Sequence, residues 1–138
     1  CYFEGMGVAQ SYLDAVKWYA KAANQGDTDA QFYLGYMYSM GLGVSQDYAE
    51  SVKWYQKAAD AGERDAIFGL ANKYYNGQGV AQDYNKALEL YRKAAAKGDY
   101  DSMHVIAECY TYGRGVPKDL EQAKYWKQKA IELENKNK

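Results

Sequence analysis

Small and apolar residues fall at helical spacing in two alternating kinds of segment, and the alternation returns every 36 residues. In 47–61, Ser51, Val52, Tyr55, Ala58 and Ala59 share one face of an expected helix. Copies of this segment run over 12–26 and 83–98, and a worn one over 119–131. The other kind is expected to be helical over 28–39, 64–76 and 100–112. There Ala30, Leu34, Gly35 and Tyr38 return as Ala66, Leu70, Ala71 and Tyr74, then as Ser102, Ile106, Ala107 and Tyr110. Small residues beside large ones let two helices approach while Leu and Tyr interlock, ridge into groove.

Between the helices stand GMGVAQ, GLGVSQ, GQGVAQ and GRGVPK, whose first glycines are Gly5, Gly41, Gly77 and Gly113. The paired glycines are expected to end one helix at positive φ and reverse the chain. The valine after them, as at Val44, anchors the turn, and Pro117 lies just ahead of a helix start. Ser11, Asp47, Asp83 and Asp119 are the expected N-caps. Asp14, Glu50 and Gln122, three residues after the first, second and fourth, complete a reciprocal capping box. Gly62 is expected to end its helix.

A period between 20 and 50 residues is the mark of stacked repeats. The expected organisation is one repeat domain over 1–138, with a truncated first repeat at 1–26, repeats at 27–62, 63–98 and 99–134, and a polar tail at 135–138. Residues 1–5 carry only the end of a helix, since Tyr2 matches Tyr38, Tyr74 and Tyr110. With no initiating Met and a start inside a repeat, the chain reads as a fragment or a processed form. Lys127, where Tyr19, Tyr55 and Tyr91 stand in the other copies, predicts a last helix with one wet face.

At Ala30, Leu34, Gly35, Tyr38, Gly41, Gly43, Val44, Asp47, Trp54, Tyr55, Ala58, Ala59 and Gly62 the chain resembles the Sel-one-like repeat family, a relative of the tetratricopeptide repeats. The resemblance implies an all-α fold: an α/α solenoid of antiparallel helix pairs wound into a right-handed superhelix, used as an adaptor for proteins or peptides. Two departures stand out. Some family members pair cysteines within each repeat and this chain does not, and Leu90 replaces the tryptophan found at Trp18, Trp54 and Trp126.

Composition narrows the partners. A net charge of -1 with 25% charged residues gives no long-range field, which argues against nucleic acid and anionic membranes. The 48% hydrophobic content is enough for a core, drawn out here as a ribbon. No apolar run of about 18 residues predicts a membrane span. Cys1 and Cys109 lie three repeats apart, beyond the ~7 Å Cα limit for a bridge, so no internal disulfide is expected. The compartment stays open: periplasm or secretion if an export signal was removed, or the cytoplasm.

Candidate chemistry is thin. The G-x-G-V loops have no preceding strand, no third glycine and no Lys-Ser/Thr, so they read as turns and not phosphate cradles. A metal site would need His104, Glu108 and Cys109, or Asp101, to converge; no metal and no cofactor is expected. Asp29, Asp65 and Asp101 read as helix starters placed at the positive end of the dipole, not as acid-base pairs.

By analogy with tetratricopeptide repeats, the first helix of each pair lines a concave surface. Its candidate residues are Asp29, Phe32, Tyr36, Ser39 and Met40; Asp65, Phe68, Asn72, Tyr75 and Asn76; and Asp101, His104, Glu108, Thr111 and Tyr112. Aromatic residues and Met are enriched where proteins bind proteins. The expected function is therefore non-enzymatic binding of a partner protein or peptide on that face. The alternatives are an immunity or inhibitor protein that neutralises a partner enzyme, and a hydrolase or metal-dependent enzyme built on His104, Glu108 and Cys109. An open amino-terminal edge along 12–24 also allows self-association.

Overall fold

A computed structural model describes the backbone of residues 2–136 and the side chains of residues 11–136. Seven helices and no strands are found among them: α1 Tyr2–Asn24, α2 Thr28–Met40, α3 Tyr48–Asp60, α4 Arg64–Asn76, α5 Tyr84–Ala96, α6 Tyr100–Tyr112 and α7 Leu120–Lys136. Each helix packs mainly on the next in sequence, and α2 also touches α4 across the turn of the solenoid. No described helix is long and apolar enough to cross a membrane.

The interior is a ribbon, as nearest-neighbour stacking requires. Val16, Ala23, Ala30, Leu34, Met37 and Trp54 form its first segment. A longer second segment is centred on Leu70, Leu88, Tyr91 and Ile106, all within 2% of complete burial. The smallest residues sit where helices come closest: Ala58, Ala66, Ala87 and Ala94 are fully buried. Gly35 presses on Tyr55 so tightly that a Cβ there would meet its ring at 2.8 Å.

The expected caps form by half. Asp47, Asp83 and Asp119 accept from the backbone N–H groups of Glu50, Lys86 and Gln122 at 3.1–3.2 Å. No reciprocal carboxylate bond is needed, because the N–H groups of Asp47, Asp83 and Asp119 already donate to the carbonyls of Tyr38, Tyr74 and Tyr110 at 2.9 Å. The glycine loops therefore close on the recurrent tyrosine of the helix before them.

The expected loop over 5–10 and the N-cap at Ser11 are not found: α1 runs unbroken from Tyr2 to Asn24. The later loops show why. A Cβ on Gly43 would lie 2.5 Å from the Tyr12 carbonyl oxygen, and one on Gly79 2.5 Å from that of Tyr48. Each glycine loop is thus moulded onto the start of the second helix of the preceding repeat. No such helix precedes 5–10 among the described residues, so the contact that moulds the later loops is missing there, and α1 continues through the segment despite its two glycines. At the other end α7 continues past Ile131 to Lys136, taking in residues expected to form the tail; Cys1, Asn137 and Lys138 lie outside the described residues.

Candidate functional site

α2, α3 and α4 wall a hollow of about 320 Å³. From α2 come Phe32, Tyr36, Ser39 and Met40, and from α4 come Asp65, Phe68, Gly69, Asn72 and Lys73, with Tyr55 of α3 between them. The periodicity explains the arrangement: residues four apart, such as Phe32, Tyr36 and Met40, stack along one helix face. Tyr36 and Met40 are 44% and 56% exposed, so this apolar face is open to solvent. Phe32 leans on Tyr55 with ring centroids 5.8 Å apart, which holds the wall in place. Gly69 makes room for the Tyr55 ring, since a Cβ would meet it at 3.0 Å.

Among the lining residues is a charge that sequence reasoning missed. Lys73 is only 7% exposed, and its Nζ donates to Ser39 Oγ at 2.5 Å and to Gln78 Oε1 at 3.3 Å. The ammonium also lies 4.6 Å from the centre of the Tyr48 ring. No described carboxylate is within ion-pair distance of it. Burial lowers its pKa below that of an ordinary lysine. The repeat register held the signal: the equivalent positions are Met37 and Cys109, both buried, so a lysine there breaks a core pattern.

A second hollow, of about 630 Å³, lies between α6 and α7. His104, Glu108, Thr111 and Tyr112 line it from α6, facing Leu120, Glu121, Lys124 and Lys127 of α7. It is the same trough two repeats on, and no described helix lies beyond α7 to form its third wall.

Of the sequence-predicted residues, Phe32, Tyr36, Ser39, Met40, Asp65, Phe68 and Asn72 meet in the first hollow, and His104, Glu108, Thr111 and Tyr112 in the second. Asp29, Asn76 and Asp101 are exposed at helix ends and line neither. Tyr75 lies in the wall between: its ring sits edge-on to Tyr84 and Tyr91, and its hydroxyl accepts from Arg114. Tyr91 in turn donates to Asn72.

The residues weighed for metal chemistry do not converge. His104 and Glu108 face the open hollow, while Cys109 is fully buried in the core. Burial pushes its thiol up to about 11. No group of three His, Cys, Asp or Glu able to hold a metal exists among the described residues. Trp18, at 71% exposed, contrasts with its repeat equivalent Trp54 at 7%, which α1 and α2 help to cover.

The Sel1 repeat matches four times, over residues 1–27, 28–63, 64–99 and 101–135. Among solved structures the chain is similar to a protective antigen of uropathogenic Escherichia coli strains that displays an SLR fold. The identity is 39% and the TM-score 0.82, over 84% of this chain and 25% of that one. It is similar to a Sel1 repeat protein from Oxalobacter formigenes at 40% identity and TM-score 0.86, over 96% of this chain and 54% of that one. It is also similar to cysteine rich protein B of Helicobacter pylori at 25% identity and TM-score 0.68, over 91% and 90%. The chain thus spans about a quarter of the first of these and about half of the second. No curated protein matches it.

Proposed function

We propose that this chain, which belongs to the Sel1 repeat family, is a non-enzymatic binding module whose concave trough grips a segment of a partner protein. The family serves in general for protein–protein interaction, and its members are typically scaffolds without catalysis. The observation that carries the finer reading is the hollow between α2 and α4. Its aromatic walls are held by packing from behind, yet Tyr36 and Met40 at its rim remain open to solvent. Apolar patches of this kind on a fixed scaffold mark interaction sites, because binding removes them from water at little cost in side-chain ordering.

The test is capture of partners by the chain and by two variants, Tyr36→Ala/Met40→Ala and Phe32→Ala/Tyr36→Ala/Phe68→Ala, with bound proteins identified by mass spectrometry. The first variant truncates two side chains that are 44% and 56% exposed and outside the buried core, and should fold. Loss of a specific partner from both variants supports the reading, whereas a folded variant that retains every partner removes the trough from the account.

A further inference from the structure

The hollow between α2 and α4 combines two features that a general protein-binding surface does not require. Its walls are largely apolar, with Phe32, Phe68, Tyr36 and Met40, and its two charged lining residues are separate: Asp65 lies beside Arg64 at 3.7 Å, while Lys73 has no described carboxylate within ion-pair distance. Desolvating a charge is costly unless something negative offsets it, and a Ser hydroxyl, a Gln amide oxygen and a ring face supply only partial charges. Of the three contacts, the one to Gln78 is long at 3.3 Å, so a stronger acceptor can replace it without disturbing the Ser39 bond.

Size limits what fits. About 320 Å³ is at the small end of ligand pockets, enough for roughly one residue and too small for a docked helix. The occupant must therefore bring an apolar body and a carboxylate within a single residue. An Asp or Glu side chain has the carboxylate but too little apolar surface to cover two phenylalanines. A chain-terminal Phe or Leu has both, since its side chain and its α-carboxylate stem from the same Cα.

We propose that this hollow reads the free C-terminus of a partner polypeptide, with the terminal apolar side chain between Phe32 and Phe68 and its α-carboxylate on Lys73 Nζ. This rests on the reading of the trough as a protein-binding groove and makes it specific. Lys73 is then the specificity-determining residue, and the aromatic walls supply most of the affinity.

The probe is the peptide acetyl-Ala-Ala-Ala-Leu-Phe, titrated as its free acid and as its C-terminal amide while backbone amide shifts around the hollow are followed by NMR. The free acid is expected to bind at least tenfold more tightly than the amide. Lys73→Met, which copies the buried Met37 of the preceding repeat and so keeps the core apolar, should reduce that preference below twofold and leave amide binding unchanged. Equal binding of acid and amide by the natural chain overturns the proposal. So does an amidated peptide with an internal Glu that matches the free acid, or the absence of shifts with every peptide. Each of these results leaves the partner-capture experiment to decide independently whether the trough binds proteins at all.

Discussion

Between α2 and α4 the trough contains a hollow, while one repeat further on, between α4 and α6, the equivalent ground is occupied by side chains. Ser39 gives way to Tyr75, whose ring packs edge-on to Tyr84 and Tyr91. Tyr36 gives way to Asn72, which accepts from Tyr91 and turns a rim residue into part of the wall. The cation moves as well. In the first case Lys73 reaches from α4 to Ser39, and in the second Cys109 takes its place while Arg114, from the loop, reaches back to Tyr75. The backbone repeats, but a few side chains decide whether a given interval offers a cavity or a sealed seam. The scaffold is carried by what recurs, and the presence of a cavity by what does not.

The largest expected effect comes from breaking the sealed seam. Tyr91→Ala would remove a ring that is 1% exposed, its contacts with Phe68 and Tyr75, and the bond to Asn72. A loss of about 3–5 kcal/mol is expected in urea unfolding, as for other large aromatic truncations. A loss below about 1 kcal/mol would show that the seam is not packed as described.

Next in size is the transplant of the sealed arrangement into the open interval. Ser39→Tyr/Lys73→Cys copies Tyr75 and Cys109, and is expected to fold while losing tenfold or more in affinity for any ligand of the hollow. Retained affinity in a folded double variant would mean that the cavity is irrelevant to binding.

A smaller effect concerns Cys109, whose thiol is held protonated by burial up to about 11 against an ordinary value of 9.0. The sign follows from proton linkage. Between these values the folded state binds the proton and the unfolded state releases it, so the contribution to stability is full below pH 9 and is lost as pH rises towards 11. Alkylation at pH 8 should be much slower in the native chain than in urea. Equal rates would contradict the burial of this thiol.

The smallest effect is expected at Arg114→Gln. The guanidinium lies at the surface, where solvent screens its contribution, and Tyr75 keeps both of its ring contacts. The variant should leave the melting temperature close to that of the natural chain, and a large drop would place more of the seam's stability in this clasp than packing allows.

Much of this architecture was legible in the repeat register. The bounds of α4 and α6 follow from Leu70 and Ile106 and from the glycines at 77 and 113, since the αL turn at those positions admits little else. The expected groove residues Phe32, Tyr36, Met40, Phe68 and Asn72 do share a hollow. Tyr75, read from its position as a groove residue, instead fills the seam, because a tyrosine at that register reaches Tyr84 and Tyr91 where Ser39 cannot. Lys73 was passed over because a lysine in an amphipathic helix normally marks the wet face.

The chain by itself determined the period, the helix pairs and the turn at each glycine loop, because these depend on local backbone preference and on spacing along one helix. Only the tertiary structure decided that 5–10 stays helical, that the interval between α2 and α4 is hollow, and that a buried Lys73 lines it. Each of these depends on what another repeat places opposite: a loop needs a preceding helix to close on, a cavity needs a small residue facing a large one, and a lysine is buried only when its neighbours' side chains close over it.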